Sequence, residues 1–184
     1  MNDILNEAGD KMDKSVEATR EDFATIRAGR ATPQMFNKIL VDYYGTPTPI
    51  QQLATFTSPE ARIINIAPFD IGAMGNIEKA IRDSDLGVNP SNDGKILRAV
   101  FPELTEERRK EYIKLAREKA EQGRVSVRQV RQKSKQSLEK LEKDGEVGKD
   151  DVTGAEKKLD AVTKKHTDQI DELLKSKEAE LLEV

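Results

Sequence analysis

Several residue types that often carry chemistry are scarce in this chain of 184 residues. It has no cysteine, no tryptophan and one histidine, and aromatic residues make up only 4% of it. The absence of cysteine excludes disulfide bonds, thiolate metal sites and cysteine nucleophiles. Charged residues make up 35%, and this balance favours long amphipathic helices over a β-sandwich or an aromatic-lined enzyme pocket.

Long hydrophobic runs are also missing. The first residues, MNDILNEAGDKMDK, contain neither a basic segment nor an apolar stretch of the kind that forms a signal peptide. No window of the chain approaches the roughly 18 consecutive apolar residues that a membrane-spanning helix needs. We therefore expect a soluble cytoplasmic protein with no membrane partner.

Proline divides the chain into two kinds of sequence. All seven prolines lie between residues 33 and 102, and the flanking segments have none. Because proline interrupts helices, the flanking segments are predicted to be helical and the middle one to contain strands. The predicted domains are a helical unit made of residues 1–29 and 105–184, and a small α+β domain made of residues 30–104.

Three long helices are predicted outside the insert, over residues 3–28, 105–143 and 150 to the C-terminal region. Gly29 offers a left-handed position after the first helix, and Thr105 is a suitable N-cap for the second. Each helix carries apolar residues at a spacing of three and four, which places them on one face. Since no helix of this length hides such a face alone, we predict a long antiparallel three-helix bundle.

Short β-branched and aromatic runs between turn residues predict the strands of the insert. They are KILVDYY (38–44), QQLATFT (51–57), RIINIA (62–67) and ILRAVF (96–101), with a short amphipathic helix between residues 71 and 85. The fold class is therefore α+β, with a small β/α/β domain inserted between helices 1 and 2. Two segments are its only covalent attachment, and we predict that they form a hinge at Gly29, Arg30, Glu103, Leu104 and Thr105.

The second helix carries the most distinctive charge pattern. Residues 105–135 hold eleven basic and five acidic side chains, although the whole chain has a net charge of −3. Basic residues occupy seven of eight positions that recur at alternating intervals of four and three, which forms a stripe along one helix face. The basic positions of this stripe are Lys110, Lys114, Arg117, Arg124, Arg128, Arg131 and Lys135.

Two interpretations of this stripe remain open. It can be a solvated face whose cations form salt bridges with the acidic neighbouring helices. Alternatively, because arginine binds phosphate oxygens in a bidentate manner, it can contact the backbone of a folded nucleic acid. No aromatic stacking platform lies beside it, which disfavours reading of single-stranded sequence. A coiled-coil interaction protein with an acidic partner is the alternative function.

No catalytic constellation is apparent. Asp83 and Asp85 precede Gly87, but the spacing does not match a calcium-binding loop, and the glycines match no phosphate-binding motif. His166 lies on the apolar line of the third helix, where a packed, hydrogen-bonded histidine is the simpler interpretation. We therefore expect no enzymatic activity, no metal and no cofactor.

Several long sequence blocks resemble the bacterial ribosome recycling factor family. They are IRAGRATP (26–33), DYYGTPTPIQQLA (42–54), IEKAIRDSDLGVNPSNDG (77–94), LTEERRKEY (104–112), VSVRQVRQ (125–132) and KEAELLEV (177–184). With the first helix, the resemblance covers essentially the whole chain. It departs from some members at Gln132, where they carry another basic residue, and Gly123 is unusual inside a helix.

The resemblance implies an L-shaped monomer of tRNA-like dimensions, with a flexible hinge between bundle and small domain. It implies binding to the large ribosomal subunit across the A and P sites. It also implies that the protein acts with elongation factor G and GTP to split the subunits and to free mRNA and tRNA. Contacts with ribosomal RNA are expected from Lys110, Lys114, Arg117, Arg124, Arg128 and Arg131 of the stripe, and from Arg27 and Arg30 of IRAGR. Within the stripe, Arg128 and Arg131 match the family's positions, and the segment IRAGR carries Arg27 and Arg30 to the matching place near the hinge.

Overall fold

A computed structural model describes residues 1–183 and confirms the α+β class. In chain order its elements are α1 (Asn2–Thr25), β1 (Leu40–Tyr43), β2 (Thr46–Pro49), β3 (Ala54–Glu60), β4 (Ile63–Pro68), α2 (Met74–Arg82), β5 (Ser91–Asn92), β6 (Leu97–Val100), α3 (Glu106–Lys143) and α4 (Lys149–Leu182). Short 3₁₀ turns occupy Pro33–Phe36, Ile50–Gln52 and Ile71–Ala73. Among the helices of residues 1–183, none is long and apolar enough to span a membrane.

The contacts divide the chain into two compact units. The helical unit comprises Met1–Phe23 and Ile113–Glu178, and the small unit comprises Ala24–Tyr112 together with the residues from Ala179 onward. One end of each long helix therefore belongs to the small unit, namely the last residues of α1, the first of α3 and the last of α4, and the rest of each helix belongs to the helical unit.

The bundle core follows the predicted apolar lines. In α1 the buried positions are Ala8, Met12, Val16, Thr19 and Phe23, and in α3 they are Ala116, Ala120, Gly123, Val127 and Leu138. Helix α4 contributes Val152, Ala155, Leu159, His166 and Ile170. Arg117 of α3 pairs with Glu178 of α4, and Arg131, further along α3, pairs with Asp160, which comes earlier in α4. These two helices therefore run antiparallel.

Gly123 of α3 lies against both neighbouring helices. A Cβ atom at this position would lie 2.2 Å from Thr19 Oγ1 on α1 and 3.1 Å from Ile170 Cδ1 on α4. The Thr19 hydroxyl donates a hydrogen bond to the Ser15 carbonyl at 3.0 Å, so its oxygen is held in place. The residue that looked unusual inside a helix is therefore required because only glycine fits between the neighbouring helices.

The first helix ends earlier than predicted. It stops at Thr25 instead of residue 28, and Ile26, Arg27 and Ala28 are all buried. Three consecutive buried side chains point in directions that a single helix face cannot provide, so the chain leaves the helix. The prediction of a left-handed Gly29 is wrong, since its φ is not positive, whereas Gly145 after α3 has φ 74°.

The small unit is built around one antiparallel sheet and a hairpin. The four-stranded sheet has the order β3-β4-β6-β5, and β1 pairs with β2 separately. Helix α2 contributes Ile77 and Ile81 to the same buried cluster as Ile64, Ile66 and Leu97 of the sheet. The predicted strands at 38–44, 62–67 and 96–101 and the helix between residues 71 and 85 are confirmed, whereas the strand predicted at 51–57 starts only at Ala54, after a 3₁₀ turn.

Two further strands lie outside the predicted segments. Strand β2 contains Pro47 and Pro49, which register opposite Asp42 and Leu40 of β1. Proline is tolerated there because β2 pairs with β1 alone. The N–H groups that the prolines lack are therefore not needed for hydrogen bonds to a second strand. Strand β5 has only two residues, opposite Leu97 and Arg98, and is too short to show a periodic pattern.

Asp70 connects the β1–β2 hairpin to the turn before α2. Its carboxylate accepts hydrogen bonds from the Gly72 N–H at 2.8 Å and from the hydroxyls of Tyr43 and Tyr44 at 3.1 Å each. The Gly72 N–H makes the largest contribution, followed by the two hydroxyls, and together they lower the pKa of Asp70. Tyr44 lies in the turn of the β1–β2 hairpin and has φ 50°, a backbone conformation that residues other than glycine rarely adopt.

We expect an Asp70→Asn variant to be less stable than the parent at neutral pH. A carboxyl whose pKa is lowered by folding stabilises the folded state above its ordinary pKa of about 3.9. This stabilisation of the folded state is lost as the pH falls through the lowered pKa of Asp70. Urea unfolding as a function of pH should therefore show a modest difference at pH 7 that disappears in acid. Asp85→Asn removes the same charge at an exposed position and is the matched control.

Candidate nucleic-acid interface

Helix α3 is the scaffold of the basic stripe. Its N-terminus is capped as predicted, because the Arg108 N–H donates to Thr105 Oγ1 at 3.1 Å. Glu106 and Glu107 lie in the first turn, where the helix dipole favours negative charge. The helix has 38 residues and is therefore about 57 Å long. No carboxylate occurs between Glu121 and Glu139, so this stretch of the helix is purely basic.

The stripe is not one uniformly exposed row. Every second position of its central part turns toward α4 and pairs with an acidic residue there. The pairs are Arg117 Nε with Glu178 Oε1 at 2.6 Å, Arg124 Nη1 with Asp171 Oδ1 at 2.8 Å, and Arg131 Nε with Asp160 Oδ1 at 2.6 Å. The interpretation as interhelical salt bridges therefore applies to these three arginines, which we call the inner row.

The three arginines of the inner row differ in how much of each side chain is exposed to solvent. The Arg124 side chain is only 19% exposed and is bonded on two sides, by Glu121 and by Asp171. The Arg131 side chain is 34% exposed, and only its Nε has a partner. Arg117 is also bonded only through Nε and is more exposed than either. Arg117 and Arg131 therefore keep donors that face solvent, whereas Arg124 has few left.

The outer row faces solvent. It contains Lys114, which is exposed, and Arg128, which among residues 1–183 pairs only with Glu121 on the same helix, at 3.2 Å. Glu121 has a lowered pKa, first because of its hydrogen bond with Arg124 and also because of Arg128. An exposed ion pair of this kind contributes little to folding. The outer row therefore has cations that can be redirected to a partner.

Lys110 and Arg30 belong to the small unit. Lys110 is exposed and pairs weakly with Glu106 at 3.3 Å, and Arg30 is exposed. Both side chains are accessible, which agrees with what a phosphate contact needs.

Arg27 does not fit the predicted interface. It is 6% exposed, its guanidinium lies 5.4 Å from the centre of the Phe101 ring, and it donates a hydrogen bond to the Pro102 carbonyl. Burial lowers the pKa of Arg27. We therefore remove Arg27 from the candidate contacts, because its charged group is used inside the small unit.

The sequence analysis missed the acidic residues that hold the inner row. Asp160, Asp171 and Glu178 were part of a generally acidic α4, and no single one was distinguished. The signal was the interval of seven residues between Arg117, Arg124 and Arg131, which is typical of positions facing a neighbouring helix.

His166 is a buried structural residue, as its position on the apolar line suggested. It is 3% exposed, and its ring nitrogens lie 2.7 Å from the Val162 carbonyl and 2.6 Å from Asp13 Oδ1. Within residues 1–183, no group of three or more histidine, aspartate or glutamate side chains is arranged to hold a metal ion.

The fold and the basic face together define the class of this protein: a factor with a long helical bundle that carries a basic face, and a small α+β unit. The family model "Ribosome recycling factor" matches residues 19–182. The chain therefore belongs to the ribosome recycling factor family, whose members are non-enzymatic ribosome-binding proteins of protein biosynthesis.

Curated relatives and solved structures agree with this assignment. A ribosome-recycling factor from a Nocardioides species is 77% identical over the full length of both chains, and that of Streptomyces coelicolor is 62% identical over 99% of this chain and 98% of its own. A solution structure of a ribosome recycling factor has a TM-score of 0.77 at 39% identity, covering 100% of this chain and 97% of its own. A second solved chain belongs to models of the Thermus thermophilus ribosome recycling factor and the Escherichia coli elongation factor G on the E. coli post-termination complex. Its TM-score is 0.67 at 39% identity, over 99% of this chain and 98% of its own.

Proposed function

We propose that this chain binds the large ribosomal subunit across the A and P sites after translation termination. With elongation factor G and GTP it then splits the subunits and releases mRNA and tRNA. Family membership supports the process, and the structural relative that was placed with elongation factor G on a post-termination complex supports the partner. The protein acts in the cytoplasm as a monomer and uses no cofactor of its own.

One observation carries the assignment of the RNA-binding surface. Between Glu121 and Glu139, α3 presents Arg128 and the unpaired terminal nitrogens of Arg131 on a helix stretch without any carboxylate. A guanidinium fork matches the oxygens of a phosphate. Structured RNA is recognised mainly through its shape and backbone, and a straight helical rod with such cations suits that mode. Lys114 and Arg117 extend the surface toward the N-terminal end of α3.

The small unit is the part on which elongation factor G acts. We propose that the hinge is formed by the two segments at Gly29–Arg30 and at 103–105, which both lie inside the small unit as its contacts define it, close to the end of α1 and the start of α3. Gly29, Arg30, Glu103 and Thr105 are exposed, whereas Leu104 is 7% exposed and anchors its segment. The buried Arg27 joins the first segment to the carbonyl of Pro102 beside the second. The two segments therefore bend together rather than separately, and GTP hydrolysis by elongation factor G supplies the work.

A recycling assay with purified components tests this function. Post-termination ribosomes should separate into subunits, followed by light scattering, only when the protein, elongation factor G and GTP are all present. Hydroxyl-radical footprinting should show protected nucleotides in large-subunit RNA, and an Arg131→Ala variant should lose part of that protection. Splitting without elongation factor G, or a footprint confined to ribosomal proteins, would contradict the proposal.

Ribonuclease treatment separates this function from the coiled-coil alternative. If α3 binds an acidic protein instead of RNA, co-sedimentation should survive digestion of the large-subunit RNA. Loss of binding after digestion supports the RNA surface.

A further inference from the structure

The three acidic partners of the inner row do not engage their arginines in the same way. Asp160 and Glu178 each accept a hydrogen bond only from Nε of their arginine, at 2.6 Å in both cases. Asp171 instead accepts from Nη1 of Arg124, whose Nε is already taken by Glu121. The first arrangement leaves both terminal amino groups of the arginine free, and the second does not.

This difference matters because of the shape of the guanidinium group. It is planar and has five N–H donors, of which one is on Nε and four are on the two terminal nitrogens. A carboxylate on the Nε side fixes the plane of the group without occupying the edge between the terminal nitrogens. That edge binds two oxygens of one phosphate. Arg131 and Arg117 can therefore be held by α4 and bind a phosphate at the same time.

We propose that Asp160 is a positioning residue for Arg131, and Glu178 for Arg117, in the contact with ribosomal RNA. The carboxylates hold each guanidinium in a fixed orientation with its terminal edge facing outward. A long flexible side chain then loses less freedom on binding, and preorganisation of this kind raises affinity. This inference rests on the proposed function, because it requires that Arg131 contacts RNA.

The same carboxylate can also weaken RNA binding, because it repels the phosphates. A negative charge next to the RNA backbone weakens binding, and a carboxylate can also compete with phosphate for the arginine. Any test must therefore keep the charge change constant while removing the hydrogen-bond acceptor. Asparagine and alanine at position 160 do this, since both are neutral and only asparagine retains an oxygen that accepts from Nε.

The experiment measures the affinity of the full-length protein for purified large ribosomal subunits at one fixed salt concentration. We expect Asp160→Ala to bind roughly 3- to 10-fold more weakly than Asp160→Asn, as ordering of one long side chain would predict. In an Arg131→Ala background the two substitutions at position 160 should bind equally, because no guanidinium remains to be positioned. Thermal unfolding should differ little among these variants, since the Asp160 side chain is 57% exposed.

Asp171 provides the matched control. It lies on the same helix and pairs with an arginine of the same row, but Arg124 is bonded on two sides and only 19% exposed. Asp171→Ala and Asp171→Asn should therefore bind with affinities within about twofold of each other, on the same positional argument.

The outcomes separate this inference from the proposed function. If Arg131→Ala weakens binding but the two Asp160 variants bind equally, the positioning role is overturned and the RNA contact remains. If both Asp160 variants bind more tightly than the parent by the same factor, the carboxylate only competes with RNA, which also overturns it. If Arg131→Ala leaves binding unchanged, the RNA contact itself is wrong and the inference is overturned with it.

Discussion

Replacing Gly123 with alanine is expected to lower the free energy of unfolding by about 1–3 kcal/mol, as for an overpacked core. The added methyl group would lie 2.2 Å from Thr19 Oγ1 and 3.1 Å from Ile170 Cδ1. Neither neighbour moves away easily, because both belong to the packed faces of α1 and α4. In a helix that tolerates the methyl group, the same substitution would be stabilising by up to about 1 kcal/mol.

A matched control is available in the same bundle. Gly154 lies on α4 and is exposed, and among residues 1–183 no atom beyond its chain neighbours and the backbone of its own helix lies within 4 Å of the position of an added Cβ. Gly154→Ala should therefore raise the free energy of unfolding, and chemical denaturation of both variants measures the contrast. Thr19→Ala combined with Gly123→Ala should recover part of the loss, since the clashing oxygen is gone. A Gly123→Ala variant as stable as the parent would show that the helices can separate at no cost.

Removing Arg128 and Arg131 together is expected to weaken binding to large ribosomal subunits by about 2–5 kcal/mol. Each arginine is proposed to contact phosphate, and a hydrogen bond between charged groups contributes about 1.5–3 kcal/mol. The parent protein should lose affinity as salt rises, with a slope of log K against log salt on the order of −3.5 to −4.5 for about five phosphates. The double variant should show a slope smaller by about 2. Sedimentation or fluorescence titration at several salt concentrations provides both values.

That experiment needs a control that separates the loss of two positive charges from the loss of these two particular arginines. Lys157 and Lys158 lie on α4 and are exposed, so Lys157→Ala with Lys158→Ala removes the same net charge from another part of the helical unit. This control should reduce affinity far less than the arginine pair. If both double variants lose affinity equally, binding depends on net charge and α3 has no privileged face. Folding should be nearly unchanged in either, because the ion pair of Arg131 with Asp160 is solvent-exposed.

Elements with a strong local pattern were predictable. The three long helices, the strands at 38–44, 62–67 and 96–101, and the short helix before residue 85 all follow from apolar spacing and from the position of proline. The misses occurred where a local rule was overridden. Strand β2 contains two prolines that only an edge position tolerates, and α1 ends before Gly29 because the consecutive residues Ile26, Arg27 and Ala28 are all buried.

The candidate interface was predictable only in part. The spacing of α3 identified its basic face, and the absence of carboxylates after Glu121 identified the segment with the highest positive charge. The same spacing could not show that Arg27 is buried against Phe101 and Pro102, since those residues are 74 and 75 positions away. When the partner of a side chain is distant in the sequence, the residues next to that side chain in the sequence do not indicate the contact.

By itself, then, the sequence determined the family, the helices and which side of each helix is apolar, because these depend on residues close together along the chain. Only the tertiary structure decided which cations are free. Arg128 faces solvent, Arg131 is held through Nε alone, and Arg124 is bonded on two sides. The physical reason is that periodicity gives the direction of a side chain around its own helix axis, whereas its partners depend on which residues of the neighbouring helix pack at the same level.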